Sequence, residues 1–357
     1  GKGSWADIHA SDPRSDLAVL SLQQPPAGLR AITFGDGGKV KKGQFVIGLA
    51  NPFAAGFRDG SPSASCGIIS NLRRRAPGPV SEVNRARVSF HHFGTLIQTD
   101  VRLNTGCSGG ALLKLDGELI GLTSALAALA GVETPGGFAI PLDGNTRRII
   151  NVLARGEEVE YGFLGVSLTP PSRSSPVVQL SAVIGGSPAQ LAGVSPNDSV
   201  VSINGEPVRE NDDLFLLVGS QLAGSEVTLE LEEYGTRRRR TIGPIRLAKY
   251  YVTGSAIASR RPAARGGLRV DYASVLAQRD VFRQSIPRGV IVREIIPHSP
   301  AEKIQLLQPD RIIRRVNGEE VNTPAEFYRQ MDKANGQAEL TVLNADQREE
   351  RVTLALR

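Results

Sequence analysis

The stretch Leu103–Leu113, LNTGCSGGALL, places a serine where it could act as a nucleophile. Ser108 lies among glycines, with Gly106 two positions before it and Gly109 and Gly110 directly after it. Glycine permits the turn that exposes a serine hydroxyl, and the backbone N–H groups of Gly106 and Ser108 could together face a developing oxyanion. The same letters also fit a glycine-rich β-turn whose serine bonds locally. The motif alone leaves both interpretations open.

A serine hydroxyl is a weak nucleophile until a base removes its proton. The chain offers His9, His91, His92 and His298. An adjacent pair such as His91 and His92 alternates faces on a strand and is a poor shared metal site, so a solvated loop is the simpler interpretation. His298 begins a predicted helix, and His9 is the only histidine that precedes Asp16. None of these histidines is predicted to be the base.

The bulk composition is that of a globular, β-rich protein. The 357 residues are 40% hydrophobic and 22% charged, which predicts two or three domains. Thirty-nine glycines and 22 prolines among short β-branched runs predict many turns and short strands. The two cysteines lack the spacing of a zinc site, and no metal or cofactor is implied.

The net charge of +6 does not indicate a nucleic-acid partner. The arginines are scattered apart from the runs Arg73–Arg75 and Arg237–Arg240, and no aromatic platform or recognition-helix pattern accompanies these runs. No apolar run is long enough to cross a membrane, so no integral membrane segment is expected in this chain.

The elements that must position the serine form a barrel pattern. Short alternating strands, separated by turn signals such as FGDGG and LDGE, run from residue 1 to about residue 156. A helix is predicted at PLDGNTRRIINVLARG, where Ile149, Ile150 and Leu153 share one face. The chain opens inside a predicted strand pair with neither an initiator methionine nor a signal peptide, so we expect it to begin within a domain.

An internal repeat follows. The segments Gly185–Val208 and His298–Val321 share a Ser-Pro-Ala helix start, a proline, an apolar strand and an Asn-Gly-Glu turn. Each copy is preceded by an apolar segment that contains glycine, YGFLGVSL in the first copy and RGGLRVDY in the second. These features describe a PDZ module, in which the loop N–H groups capture a peptide carboxylate and the peptide adds a strand to the sheet edge.

Three domains are therefore expected. Residues 1–156 form the barrel domain, residues 160–248 the first PDZ domain and residues 264–357 the second PDZ domain. The segment between the two PDZ domains has the composition of a linker.

The first domain resembles a known protease family at several motifs. LIQTDVRLNTGCSGGALLKLDGELIGLTSAL and GFAIPLD resemble the C-terminal barrel of the HtrA/DegP family of trypsin-like serine proteases, and SDPRSDLAVL resembles its aspartate segment. The resemblance covers essentially the whole chain. It implies a mainly β fold, with a chymotrypsin-like double β-barrel that is incomplete at its N-terminus, followed by two α+β PDZ domains.

The resemblance also assigns catalytic roles. Ser108 is the attacking residue, Gly106 and Ser108 form the oxyanion site, and Asp16 is the triad aspartate. Asp16 is preferred because it immediately precedes the Leu-Ala-Val-Leu strand, whereas Asp12 is expected to cap the turn with Pro13. The triad histidine is expected in an upstream segment, so the chain as given is predicted to be inactive alone.

The resemblance implies binding residues as well. A strand carrying Leu122, Thr123 and Ser124 would pair with the substrate backbone and line a pocket for small aliphatic side chains. Arg102 could face this pocket or simply lie on the surface. The peptide-binding residues are Gly162, Phe163, Leu164, Gly165 and Val166 in the first PDZ domain, and Gly267, Leu268, Arg269 and Val270 in the second, where the fit is looser.

The function implied is that of a serine endopeptidase of protein quality control, which cleaves unfolded polypeptides and binds peptide C-termini through its PDZ domains. The family also implies a homotrimer or a higher oligomer and an extracytoplasmic, periplasmic location. The alternative is a catalytically inactive pseudoprotease that acts as a peptide-binding chaperone or scaffold.

One letter departs from the family pattern. Cys107 stands where the family usually has asparagine. Cys66 lies where the resemblance would bring a strand start close to Cys107. The two cysteines could form a disulfide that sets the oxyanion loop, or they could be two small buried thiols.

Overall fold

A computed structural model describes residues 4–52, 61–75, 89–103, 106–124, 137–170, 177–254, 256–279, 285–344 and 346–356. The chain divides into two units, Gly1–Val159 with Val252–Arg261, and Glu160–Tyr251 with Pro262–Arg357. Both repeats therefore belong to one unit. The predicted linker divides between the two units, and its middle belongs to the first.

The described residues are mainly β, as predicted. The strands are β1 (Ala6–Asp12), β2 (Leu17–Leu22), β3 (Phe45–Ala50), β4 (Ser63–Arg74), β5 (Leu96–Thr99), β6 (Ala111–Leu113), β7 (Leu119–Ser124), β8 (Gly137–Pro141), β9 (Gly162–Phe163), β10 (Val166–Leu168), β11 (Val178–Val183), β12 (Ser199–Ile203), β13 (Glu206–Pro207), β14 (Glu226–Glu232), β15 (Arg239–Arg246), β16 (Ala248–Lys249), β17 (Ile257–Ala258), β18 (Leu268–Tyr272), β19 (Val290–Ile295), β20 (Ile312–Val316), β21 (Glu319–Glu320), β22 (Gln337–Leu343) and β23 (Glu349–Ala355). The α-helices are Gly144–Ala154, Pro188–Leu191, Asn211–Gly219, Ser274–Arg279 and Pro324–Lys333, and 3-10 helices span Phe90–Phe93 and Ala301–Lys303.

The first unit contains a closed barrel in the order β3-β4-β5-β8-β7-β6. Its interior is filled by alternating apolar residues of the strands, because successive side chains of a strand point to opposite faces. Val46, Ile69, Leu112 and Ile120 are each completely buried there. The nucleophile loop, residues 106–110, leads directly into β6 and is therefore attached to the barrel.

A separate three-stranded sheet, in the order β17-β1-β2, carries the aspartate turn. The turn joins β1 to β2, which pair from Ala6 with Leu22 to Asp12 with Leu17. The third strand, β17, comes from the segment predicted to be a linker. It pairs with Ala10 and Ser11 of β1, so part of this segment is ordered structure of the first unit.

The predicted helix after the barrel is confirmed. Asp143 caps the helix Gly144–Ala154 by accepting a hydrogen bond from the backbone N–H of Thr146 at 2.8 Å. Ile149 and Leu153 are buried, and Ile150 packs against a buried cluster of the barrel domain. The apolar spacing of this segment therefore predicted the buried face correctly.

The second unit contains two sheets of the same topology. One has the order β10-β11-β12-β14-β15 with β13 on β12, and the other has the order β18-β19-β20-β22-β23 with β21 on β20. In both, the Asn-Gly dipeptide makes the hairpin turn. Asn204 and Asn317 have φ of 51°, and Gly205 and Gly318 have φ of 80° and 84°, as a type I′ turn requires. The internal repeat seen in the sequence is therefore a structural repeat.

Candidate active site

The nucleophile loop displays Ser108 and buries the residue before it. Gly106 and Gly109 have φ of 90° and 83°, a left-handed conformation that glycine adopts without steric cost. Ser108 is exposed, whereas Cys107 is only 4% exposed. The backbone thus turns sharply on both sides of the serine and presents it at the surface.

Strand β7 holds this loop through Thr123. The Thr123 carbonyl accepts from the N–H of Gly109 at 2.9 Å, and the Thr123 N–H donates to the carbonyl of Gly110 at 2.9 Å. The Thr123 hydroxyl donates to the carbonyl of Cys107 at 2.5 Å. Three hydrogen bonds therefore tie one buried residue to the segment that carries Ser108.

This geometry does not match the prediction that Leu122, Thr123 and Ser124 pair with a substrate backbone. On one side of β7 the backbone of Thr123 is bonded to the nucleophile loop. On the other side Leu122 pairs with Ile140 and Ser124 with Phe138 of β8. Both sides of β7 are therefore occupied at these residues.

Gly110 is required by close packing. A Cβ atom placed there would lie 2.5 Å from the carbonyl oxygen of Leu49 and 2.8 Å from the hydroxyl of Thr123. Both distances are far below van der Waals contact. The second glycine after the serine is therefore needed for the approach of the loop to β3 and β7, while Gly109 is needed for its backbone conformation.

The aspartate turn separates the roles of its two carboxylates. Asp12 is 4% exposed and accepts hydrogen bonds from both the N–H and the hydroxyl of Ser15. Asp16 is exposed and has φ of 57°, a left-handed conformation that aspartate tolerates better than most residues. Asp12 stabilises the turn, as expected, and Asp16 is the carboxylate that the turn presents to solvent.

His91 is buried, which contradicts its interpretation as part of a solvated loop. It is 3% exposed in the 3-10 helix Phe90–Phe93, and its Nε2 lies 3.0 Å from the carbonyl oxygen of Ser15. Nδ1 lies 3.2 Å from the hydroxyl of Thr95. Burial lowers the pKa of His91 below its ordinary 6.5, although the Ser15 hydrogen bond and the charge of Asp16 act in the opposite direction.

The same 3-10 helix anchors the aspartate turn at a second point. The N–H of Phe90 donates to the carbonyl of Arg14 at 3.0 Å, and the Arg14 guanidinium lies 4.5 Å from the centre of the Phe90 ring. The helix therefore holds the turn that carries Asp16. No sequence motif predicted this contact, since Arg14 and Phe90 are far apart in the chain.

The other histidines make local contacts. The His9 ring bonds the hydroxyl of Ser259 at 3.0 Å, and the His92 ring bonds Ser89. His298 lies in the second unit, where its backbone N–H donates to Glu302. None of these contacts involves Asp16 or Ser108.

The structure bears on two questions left open by the sequence, the pairing of the two cysteines and the position of Arg102. Cys66 and Cys107 are both free thiols, so the proposed disulfide is wrong in this structure. The alternative of two buried thiols holds for Cys107, which is buried, but not for Cys66, which is exposed. Arg102 is exposed, in agreement with a surface position.

The first repeat presents its predicted carboxylate loop beside a sheet edge. The carbonyl of Leu164 accepts from the N–H of Ala189 at 3.0 Å, and the carbonyl of Gly165 accepts from the N–H of Ile184 at 2.9 Å. Val166 then begins β10, which is the edge strand of its sheet. This arrangement suits a peptide that adds as a further strand.

The remaining loop residues are fixed from behind. Gly162 and Phe163 form β9, which pairs with β16. Gly165 has φ of 87°, and a Cβ atom there would lie 2.2 Å from the Cβ atom of Ser187. The loop therefore has one backbone path, and Gly165 is the residue that permits it.

The second repeat has the same loop with a different register from the one predicted. The carbonyl of Gly266 accepts from the N–H of Ala301 at 3.0 Å, and the carbonyl of Gly267 accepts from the N–H of Ile296 at 2.9 Å. A Cβ atom on Gly267 would lie 2.1 Å from that of Ser299. These contacts repeat those of the first loop, so Gly266 and Gly267 correspond to Leu164 and Gly165.

Of the four residues predicted for the second repeat, Gly267 lies in the loop and the other three follow it in the edge strand. Leu268, Arg269 and Val270 belong to β18, where Arg269 pairs with Glu294 of β19. The loop itself is formed by residues 265–267, and the sequence prediction missed Arg265 and Gly266. They were missed because only the second glycine of the letters GGLRV was assigned to the loop.

The groove of the second repeat, between β18 and the helix Pro324–Lys333, is lined by polar contacts. The N–H of Leu268 donates to the carbonyl of Arg265 at 3.0 Å, and Nε of Arg265 donates to Asp332 at 2.6 Å on the helix Pro324–Lys333. Burial raises the pKa of the Tyr328 phenol on this helix, although the nearby backbone of Val270 acts in the opposite direction. The helix thus lies against both the loop and the edge strand of the second repeat.

A cavity of about 440 Å³ lies within the second unit. Its walls include Pro188, Leu191 and Leu247 from the first repeat and Tyr272 and Ile286 from the second. Burial raises the pKa of the Tyr272 phenol to about 12. All of its wall residues belong to the second unit, so the cavity is not the catalytic centre.

Within the described residues, no group of three or more acidic, histidine or cysteine side chains could hold a metal ion. None of the helices described here is long and apolar enough to cross a membrane.

Comparison with known proteins agrees with this arrangement. Residues 1–122 match the trypsin-like peptidase domain family, and residues 162–242 match the PDZ domain family. The periplasmic pH-dependent serine endoprotease DegQ of Escherichia coli (strain K12) is 30% identical over 336 residues, which are 92% of this chain and 67% of the relative. The periplasmic serine endoprotease DegP of Salmonella typhimurium is 28% identical over 354 residues, 97% of this chain and 68% of the relative.

The chain thus spans about two thirds of the length of these relatives. Among solved structures, an HtrA-type protease, AlgW with a decapeptide, has the same fold. It has a TM-score of 0.53 and 23% identity, and the match covers 73% of this chain and 74% of that one.

Proposed function

Because the chain belongs to the HtrA/DegP family of trypsin-like serine proteases, we propose that Ser108 and Asp16 are the residues through which it cleaves peptide bonds. The observation that supports this best is the nucleophile loop. Two left-handed glycines present Ser108 at the surface while three hydrogen bonds from Thr123 fix the backbone around it. A simple glycine-rich turn needs no such support from a buried strand.

The proposed mechanism is acyl transfer. The hydroxyl oxygen of Ser108 attacks the carbonyl carbon of the scissile peptide bond as the base removes the hydroxyl proton. The backbone N–H groups of Gly106 and Ser108 stabilise the negative charge that develops on the carbonyl oxygen. The base then gives its proton to the leaving amine, and water releases the acyl group from Ser108 by the same route.

The base in this mechanism is a histidine oriented by Asp16. In trypsin-like proteases that histidine precedes the aspartate, and His9 is poorly suited because its ring is bonded to Ser259. We place the base in a segment upstream of Gly1. The exposure of Asp16 supports this, because an exposed carboxylate can accept the N–H of an incoming imidazole.

The proposed substrates are unfolded polypeptides, whose extended chains can reach an exposed serine. The first repeat would capture their C-termini, because the loop before Val166 lies beside an edge strand. The second repeat has the same topology, and we propose that it is a PDZ domain whose groove is closed by Arg265, Asp332 and Tyr328.

The proposals for location and assembly are based on the relatives. The matched DegP and DegQ proteins are named periplasmic, and we propose an extracytoplasmic location for this protein. A homotrimer or a higher oligomer is likewise proposed by family resemblance.

The test is degradation of unfolded casein by the full-length protein with its upstream segment. Ser108→Ala is expected to abolish degradation, and Ser70→Ala, at an exposed position on β4, is expected to leave the rate unchanged. Equal rates for wild type and Ser108→Ala would refute the mechanism. Peptide binding without degradation by the wild type would favour a pseudoprotease that acts as a chaperone or scaffold.

A further inference from the structure

The hydroxyl of Thr123 is a buried polar group bound to the backbone of the nucleophile loop. Thr123 is 2% exposed, and its Oγ1 donates to the carbonyl oxygen of Cys107 at 2.5 Å. The Cys107 carbonyl oxygen also accepts a hydrogen bond from the N–H of Gly110 at 3.2 Å. Two donors therefore converge on the carbonyl that directly precedes Ser108.

We propose that Thr123 is a positioning residue, which orients the oxyanion-binding N–H of Ser108 through the Cys107 carbonyl. The proposal rests on the proposed function of Ser108 as the nucleophile. Thr123 itself touches neither the substrate nor the reacting atoms. It acts through the peptide bond between Cys107 and Ser108.

The geometry of the peptide bond carries this step. A trans peptide is planar, and its C=O and N–H groups point in opposite directions. A hydrogen bond that fixes the direction of the Cys107 carbonyl therefore fixes the direction of the Ser108 N–H. An oxyanion donor is effective only when it is held in its final orientation before the reaction, so that no reorganisation is needed as charge develops.

The Thr123 backbone alone does not fix this orientation. Its N–H and carbonyl bond Gly110 and Gly109, which follow the nucleophile. The hydroxyl is the contact from β7 to Cys107, on the N-terminal side of Ser108. Loss of the hydroxyl would leave the Cys107 carbonyl with the longer bond from Gly110, and the Cys107–Ser108 peptide plane could tilt.

The experiment compares two replacements of Thr123 in the full-length protein. Thr123→Val keeps the shape of the side chain and removes the hydroxyl, whereas Thr123→Ser keeps the hydroxyl. The measured quantities are kcat and KM for a quenched fluorescent peptide with a small aliphatic residue at the cleavage site. Loss of a direct oxyanion donor costs about 10²–10³ in kcat, so we expect about a tenfold loss for Thr123→Val.

Thr123→Ser is expected to retain kcat within about threefold, and KM should change less than about twofold in both variants, since the proposed role concerns the transition state. Thr99→Val is the matched control. Thr99 is a fully buried threonine of the same barrel whose hydroxyl donates to the carbonyl of Ile68 at 2.8 Å. This control is expected to lower the melting temperature but not kcat.

The outcomes are distinguishable. Unchanged kcat in Thr123→Val, an equal loss of kcat in Thr99→Val, or failure of Thr123→Ser to retain activity would each overturn the positioning role while Ser108 remained the nucleophile. A wild-type rate equal to that of Ser108→Ala would overturn the proposed function, and the positioning role with it.

Discussion

The carboxylate of Asp12 accepts two hydrogen bonds from Ser15, one from the backbone N–H at 2.8 Å and one from the hydroxyl at 2.5 Å. Both donors belong to the residue that immediately precedes Asp16. Asp12 is therefore committed to the turn, and the turn in turn presents Asp16 in an exposed, left-handed conformation. Asp12 stabilises the turn and Asp16 is exposed by it, so replacing the two aspartates should have different effects.

Asp16→Asn is expected to lower kcat by about 10⁴, the loss that follows when a triad aspartate can no longer hold the histidine tautomer. Asp12→Asn is expected to lower the free energy of unfolding by about 1–3 kcal/mol, because it weakens a buried, charge-assisted pair of hydrogen bonds. Steady-state kinetics and urea unfolding of the full-length variants measure the two effects. Loss of activity in a stable Asp12→Asn protein, with Asp16→Asn active, would reverse the assignment.

Gly110→Ala is expected to destabilise the barrel by about 1–3 kcal/mol, since its Cβ atom would overlap the carbonyl of Leu49 and the Thr123 hydroxyl. Urea unfolding measures this cost. Gly144→Ala is the matched control, because a Cβ atom at this first residue of a helix meets nothing within 4 Å. The control should be neutral or stabilising by about 0.5–1 kcal/mol, and equal losses in both variants would contradict the packing argument.

The wild-type chain is expected to bind about one peptide with an apolar C-terminal residue, at the first repeat only. Isothermal titration calorimetry gives the stoichiometry. Gly165→Ala should abolish this binding, because its Cβ atom would overlap Ser187. Asp332→Ala combined with Tyr328→Phe should raise the stoichiometry to about two, since both contacts across the second groove are removed.

Glu294→Ala is the control for the second groove. It removes an ion pair with Arg269 without touching the contacts of Asp332 or Tyr328, and it should leave the stoichiometry at about one. A wild-type stoichiometry of two would show that the second groove is already open.

The buried His91 should make stability depend on pH. Its pKa is lowered by burial from the ordinary 6.5, so as the pH falls below about 6.5 this histidine binds protons more readily in the unfolded chain than in the folded chain. The stability contributed by the neutral ring is complete above about pH 6.5 and is lost as the pH falls toward the lower folded value. His91→Gln removes this linkage, so the melting temperature of the wild type should fall more steeply than that of the variant between pH 7 and pH 5. Parallel curves would contradict the linkage.

Local sequence signals predicted what local interactions decide. The Asn-Gly turns, the helix after the barrel and the glycines around Ser108 each follow from the conformational needs of a few adjacent residues. The two PDZ-like sheets followed from the same signals repeated. For the second repeat the prediction included Gly267 but not Arg265 and Gly266, because two consecutive glycines fit the motif in two registers. The hydrogen bonds of Gly266 with Ala301 and of Gly267 with Ile296 select one register.

The remaining features depend on partners that are distant in sequence. The buried His91 ring is hydrogen-bonded to the carbonyl of Ser15, a residue 76 positions away. Strand β17 pairs with β1, near the start of the chain. The role of Thr123 is likewise visible only when β7 and the nucleophile loop are placed side by side. No propensity or periodicity encodes such pairings, since they form only when distant parts of the chain come together.

The most direct test of the central claim is active-site labelling of the full-length protein with a fluorophosphonate, which modifies serines activated as nucleophiles. Intact-mass analysis and peptide mapping should show one adduct per chain, located on Ser108, and the adduct should be absent in Ser108→Ala and strongly reduced in Asp16→Asn. An unlabelled wild type, or an adduct on another serine, would contradict the account.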